Sequence, residues 1–151
     1  MDTLYVITGA AGHLGGTLVR MLHAAGARVR GLILPGEPAG QKGANIEYIT
    51  GDVRDADSLV PLFTHAAGEK LIVIHTAGIV DIADEVTPLM YEVNVGGTKN
   101  ILSLCQRCQV SRLVYVSSVH AIPERDPLQV LGEVQRFSPD WVVGGYAKTK
   151  A

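Results

Sequence analysis

The chain is 151 residues long, 47% apolar and 19% charged, which suits one domain with its own core and excludes intrinsic disorder. Thirteen Lys and Arg stand against 15 Asp and Glu, a formal net charge of −2, so the basic footprint of a nucleic-acid binder is absent. No basic segment followed by a long apolar run opens the chain, and the most apolar stretch, Leu71–Val80, is too short to cross a bilayer.

Thr3–Thr8 (TLYVIT) is a short apolar run that ends at a glycine-rich turn and is predicted as a buried parallel strand. His13–Ala25 sets Leu14, Leu18, Val19 and Leu22 at helical spacing, and Gly26 ends it. Ala27–Leu34 is the second predicted strand, closed by Pro35 and Gly36, and Asn45–Thr50 the third. Asp55 stands as the N-cap of a helix whose apolar side is Leu59, Val60, Leu62 and Phe63. Lys70–Thr76 is the fourth strand, Pro88–Gln109 the longest helix and Arg112–Ser118 the fifth strand. Strand and helix alternate throughout, the signature of an α/β parallel sheet with helices on both faces. From Val119 to Gly145 no period is visible, and Pro123, Pro127 and Pro139 fall within it, as in many active-site loops.

The turn after the first strand reads Thr8-Gly9-Ala10-Ala11-Gly12-His13-Leu14-Gly15. Glycines there allow a tight turn and a close backbone approach to a pyrophosphate, which the following helix N-terminus attracts with a partial positive charge of about +0.5. The spacing is G-x-x-G-x-x-G rather than the G-x-G-x-x-G of the common dinucleotide fingerprint. Cys105 and Cys108 form a lone CxxC without a second pair, inside an apolar helical pattern with Ile101, Leu102 and Leu104, so a core-helix role is expected and no metal site. No secretion signal and only two cysteines lead to the expectation of a cytoplasmic protein.

The turn resembles the T-G-x-x-G-x-x-G signature of the extended short-chain dehydrogenase/reductases, the NAD(P)-dependent epimerase/dehydratase group. Five further segments resemble that family in order: Gly51-Asp52-Val53, His75-Thr76-Ala77-Gly78, Asn94-Val95-Gly96-Gly97-Thr98-Lys99-Asn100, Val116-Ser117-Ser118 and Tyr146-Ala147-Lys148-Thr149-Lys150. The resemblance implies a Rossmann-type doubly wound sheet, cut after the fifth strand and the start of the Tyr-x-x-x-Lys helix. Residues 1–151 would be the NAD(P)-binding domain of a longer, homodimeric parent, with the C-terminal substrate-binding region outside the chain and the fragment alone inactive.

For the site, the resemblance implies cofactor contacts from Gly9, Ala11, Gly12, His13, Leu14, Gly15, Leu34, Asp52, Val53, Thr76, Ala77, Gly78, Tyr146 and Lys150. Tyr146 would be the acid/base, Lys150 would lower its pKa and hold the nicotinamide ribose, and Ser118 would bind the reacting oxygen. Asn94 would support the helix carrying the site and a proton-relay water. Independently of the family, Tyr146 and Lys150 are four apart and share one helix face. A phenol acting as a base near pH 7 needs its pKa lowered by ~3 units, roughly 4 kcal/mol. An ammonium about 6 Å away at an effective dielectric near 20 supplies roughly 3 kcal/mol of this.

The substrate expected is a small molecule carrying a hydroxyl or carbonyl, with no nucleic acid or membrane as partner. Ile122 and Pro123 depart from the tyrosine and glycine of many sugar-nucleotide epimerases, and the loop resembles the dihydroflavonol-reductase-like and hydroxysteroid-dehydrogenase-like branches. NAD and NADP stay open: Leu32-Ile33-Leu34-Pro35 ends the second strand without a charge, while Arg28 and Arg30 share one strand face, open either to recruitment or to ion pairing. His23 and His65 are expected on solvated helix surfaces, and His120 either faces the substrate or is an ordinary loop residue. The alternative to an enzyme is a non-catalytic NAD(P)-binding, redox-sensing module, which the uncharged strand end favours.

Overall fold

Five strands carry the fold: β1 (Thr3–Thr8), β2 (Arg28–Ile33), β3 (Ile46–Thr50), β4 (Lys70–His75) and β5 (Arg112–Tyr115). The computed structural model describes residues 3–82, 84–126 and 128–151; Pro127 of the aperiodic stretch lies outside them. The strands form one parallel sheet in the order β3-β2-β1-β4-β5. The order reverses between β1 and β4, and in sheets of this kind ligands bind outside the carboxyl ends of the strands at such a reversal. The expected Rossmann-type sheet is the one found.

The described residues divide into two compact units, Met1–Ala77 with Gly96–Val116, and Gly78–Val95 with Ser117–Ala151. The first unit holds the whole sheet. Its helix α1 (His13–Ala24) packs Val19 against Ile7, Ala10, Val29 and Ile33, with Leu18 and Leu22 beside them. Leu4, Val6, Leu71 and Val73 are also buried, so β1 is covered on both faces, as its unbroken apolar run required.

The predicted helix after Asp55 does not form. Asp55 Oδ1 accepts from the Asp57 and Ser58 N–H groups as a cap would, but the Ser58 hydroxyl turns back to the carbonyls of Asp52 and Asp55. Pro61 then removes the donor that a continuing helix needs, and only a 3₁₀ turn, Val60–Phe63, results. Leu59, Leu62 and Phe63 still reach the core.

The single helix predicted over Pro88–Gln109 is three consecutive pieces: α2 (Pro88–Tyr91), a π-helical turn (Glu92–Gly97) and α3 (Thr98–Arg107). Thr87 caps the start by accepting from the Met90 N–H, with Pro88 at the first helical position. Single π turns inside α-helices mark functional sites more often than chance, and this one carries Asn94.

In the second unit, the described residues between Ser117 and Gly144 include two 3₁₀ turns, Val119–Ala121 and Pro139–Trp141, before helix α4 (Gly145–Lys150). Val142, Ala147 and Thr149 are buried there. Among the described residues no helix is long and apolar enough to cross a membrane.

Candidate active site

In the first unit, the glycine-rich turn closes β1 onto α1 with no room for side chains. Gly9 has φ +65°, and a Cβ on Gly15 would sit 2.1 Å from the Gly9 carbonyl oxygen. A Cβ on Gly9 would come within 3.0 Å of the Ala77 Cα. Gly12 stands at the N-cap of α1 with no side-chain cap hydrogen bond, and no acidic residue lies in the first turn, so the helix keeps an uncapped, electropositive N-terminal end. Ala11, Gly12, His13 and Leu14 are exposed around that end. A dinucleotide's pyrophosphate fits this cradle.

Leu34 is 45% exposed beyond the end of β2, and the chain then turns through Leu34-Pro35-Gly36-Glu37. Pro35 fixes the first central position and Gly36, at φ +85°, the second, as a type II turn requires. The Glu37 N–H donates to the Leu34 carbonyl, and the Leu34 N–H donates to Glu37 Oε2 at 2.8 Å. A carboxylate thus stands at the strand end that looks uncharged in the sequence. Glu37 was missed there, although its place about 20 residues past the glycine turn was the available signal. Arg28 pairs with Glu69, and Arg30 with Glu47 at 2.7 Å and with the carbonyls of Pro61, Leu62 and Thr64, so both arginines are committed to structure.

Asp52 is held by Arg54, whose backbone N–H and guanidinium bind its two oxygens at 2.7–3.1 Å. These hydrogen bonds keep the Asp52 carboxyl below the usual carboxylate range. Val53 is 5% exposed beneath Gly97, where a Cβ would meet its Cγ2 at 2.6 Å, and its carbonyl accepts from Asn100. Thr76 donates its hydroxyl to the Thr8 carbonyl at 2.6 Å.

Ser118, Tyr146, Lys150, Asn94 and Gly78 all belong to the second unit. Gly144, at φ +92°, starts α4 in a conformation open to glycine, and a Cβ on Gly145 would strike the Glu85 carbonyl at 2.2 Å. On this helix Lys150 Nζ lies 6.0 Å from the centre of the Tyr146 ring. Burial lowers the Lys150 pKa, and the same desolvation strengthens the pull of its charge on neighbouring groups. Gly78 leaves room for that amine: a Cβ there would be 3.3 Å from Nζ and 3.2 Å from Asn94 Oδ1.

Asn94, 1% exposed, accepts from the Ile79 N–H at 2.8 Å and donates to the Ile79 carbonyl and to Thr149 Oγ1, each at 2.9 Å. Its side chain clamps the segment after β4 to α4. Ser118 Oγ accepts from the His120 N–H at 3.2 Å, which keeps its own proton for another acceptor. Ser117 instead donates to the Lys150 carbonyl at 3.3 Å. The His120 ring meets the Tyr146 ring edge-on, centroids 6.4 Å apart, so this histidine faces the acid/base candidate.

Three side-chain expectations change. His23 is half-buried and hydrogen-bonded to Asn45 rather than solvated. His65 is exposed but lies beyond the 3₁₀ turn, not on a helix. Cys105 and Cys108 only flank the core, because Ile101 and Leu104 form the buried face of α3; burial pushes the Cys105 thiol up to about 11.

Residues 6–151 match the sequence profile of the 3-beta hydroxysteroid dehydrogenase/isomerase family. The chain is 36% identical, over its whole length, to sterol demethylase protein B of Methylococcus capsulatus, of which it covers 44%. It is 33% identical to the 3 beta-hydroxysteroid dehydrogenase/Delta 5→4-isomerase of vaccinia virus, with 97% of this chain and 43% of that protein aligned. The fold is similar to UDP-glucose 4-epimerase of Thermus thermophilus in complex with NAD, with a TM-score of 0.74 and 26% identity over 97% of this chain and 47% of that one. The chain spans less than half the length of these relatives.

Proposed function

Because the chain belongs to the 3-beta hydroxysteroid dehydrogenase/isomerase family, whose members use NAD(P), we propose that it is the cofactor-binding and acid/base part of an NAD-dependent dehydrogenase. The enzyme interconverts a secondary hydroxyl and a carbonyl on an apolar small molecule. The observation that carries this reading is the placement of Lys150 Nζ 6.0 Å from the Tyr146 ring on a helix clamped by Asn94.

In the oxidative direction Ser118 holds the substrate oxygen by donating its hydroxyl proton, and Tyr146 takes the substrate O–H proton. The carbon–hydrogen bond breaks at the same carbon, and its electron pair leaves as hydride. Bound NAD supplies the acceptor for that hydride. Lys150 holds its amine beside the Tyr146 ring on the same helix, and Asn94 ties that helix to the segment after β4. In the reverse direction Tyr146 gives the proton back.

Two observations support the finer choices. The carboxylate of Glu37 at the end of β2 suits the ribose hydroxyls of NAD and repels a 2′-phosphate, which supports NAD over NADP. The segment after Ser118 exposes Val119, Val130, Phe137 and Trp141, which suits an apolar substrate, as do the steroid and sterol names of the relatives. The test is a panel of secondary alcohols on sterol-like and on sugar-nucleotide skeletons offered to the longer parent protein, with NADH formation as the readout. Oxidation of the apolar alcohols with NAD supports the reading. Turnover of the sugar nucleotides alone, or of neither group, refutes it.

A further inference from the structure

Thr8 and His75 are the last residues of β1 and β4 and stand opposite each other in the sheet, at the reversal of strand order. Both are buried, at 0% and 1% exposure. A histidine with no access to water and no role in the proton transfer calls for an account. Thr8 Oγ1 accepts from the N–H groups of Thr76 and Ala77, each at 3.1 Å, which occupies both of its lone pairs. Its one proton therefore goes to His75 Nδ1, 2.7 Å away. Nδ1 is then an acceptor, the ring proton sits on Nε2, and Nε2–H donates to Thr98 Oγ1 of α3 at 3.0 Å. The Tyr115 ring of β5 stacks on the imidazole at 5.8 Å.

We propose that His75, as the neutral Nε2–H tautomer, is a positioning residue of the dinucleotide site: through the Thr8 hydroxyl it sets the gap between the Gly9 turn and the Thr76–Ala77 backbone. The hub has little slack. Gly9 follows Thr8 directly, and a Cβ there would already press on Ala77, so a small shift of either strand end changes the floor on which a pyrophosphate lies. An imidazolium does not fit this pattern, because its Nδ1–H would face an oxygen whose acceptor positions are taken. The proposal rests on the dinucleotide reading above.

Nitrogen-15 shifts of the His75 ring at pH 7, together with NAD titrations of the protein, Thr8→Val, Thr8→Ser and Thr98→Val, test it. The expected result is the Nε2–H shift pattern in the protein, NAD affinity about tenfold weaker in Thr8→Val, and recovery in Thr8→Ser. Thr98→Val, which keeps the Thr8 hub but unties the ring from α3, is expected to weaken NAD severalfold and serves if Thr8→Val does not fold. An Nδ1–H or imidazolium pattern overturns the proposal, as does unchanged NAD affinity in folded Thr8→Val or Thr98→Val. A protein that binds neither NAD nor NADP overturns the functional reading, and the proposal with it, whatever the ring shifts show.

Discussion

Asn94 and Thr149 are joined side chain to side chain at 2.9 Å, and Thr149 passes the bond on by donating its own proton to the Tyr146 carbonyl at 2.8 Å. The acid/base helix is thereby tied to the π-helical turn by a buried hydroxyl lying between the two residues of the Tyr-x-x-x-Lys pair. Replacing Thr149 with Val strands a buried amide proton, a cost of about 1–3 kcal/mol. Turnover of the dehydrogenase is expected to fall roughly ten- to a hundredfold, because small displacements of reacting groups cost that much. Thr149→Ser restores it, and NAD affinity stays near that of the unmodified protein in both; kcat and dinucleotide titrations measure the difference.

Gly145 offers a sharper structural test. Its missing Cβ would stand 2.2 Å from a backbone oxygen, which cannot swing aside as a side chain does. Gly145→Ala is expected to lower stability by about 1–3 kcal/mol. Gly132→Ala, where nothing lies within 4 Å of the added carbon, is expected to stay within about 0.5 kcal/mol of the original. Denaturant unfolding of the two variants decides it.

Much of this was legible in the sequence. The glycine turn, the fourth strand's His75-Thr76-Ala77-Gly78 and the Tyr146–Lys150 pair each carry local chemistry that only a few arrangements satisfy, and the alternating strands and helices fixed their order. Three features were not legible for physical reasons. The helix after Asp55 failed because Ser58 and Pro61 outweigh an apolar pattern that a 3₁₀ turn buries equally well. The π turn at Glu92–Gly97 keeps helical spacing on either side, so periodicity passes straight through it. The Glu37 carboxylate returns to β2 only through the geometry of the Pro35–Gly36 turn, which a reading by strand position overlooks.

The carboxylate of Glu37 makes a prediction about cofactor choice. Glu37→Gln removes the charge without changing the size of the side chain. NAD affinity is expected to fall roughly tenfold, the weight of one charge-assisted hydrogen bond, while NADP affinity rises as the repulsion of its 2′-phosphate is lost. Paired calorimetric titrations with NAD and NADP read both changes.

Cys105 is expected to be chemically quiet. Burial, with the neighbouring Cys108 adding to it, pushes the Cys105 thiol up to about 11. A raised pKa means that the thiolate is scarce below that value and appears as pH rises toward it, so at pH 8 only about one part in a thousand of Cys105 is ionised. Alkylation of Cys105 by iodoacetamide, followed by peptide mass spectrometry, is expected to be slow at pH 8 and to accelerate about tenfold per pH unit up to pH 10.

The most direct test is Tyr146→Phe in the longer parent protein, with NADH formation and NAD titration measured on the same preparation. Removal of the phenol oxygen alone is expected to lower turnover about 10²–10⁴-fold, the range of general acid–base contributions, with NAD affinity kept within a few fold. Turnover retained in Tyr146→Phe would contradict the assignment of the proton transfer to this residue, and with it the proposed mechanism.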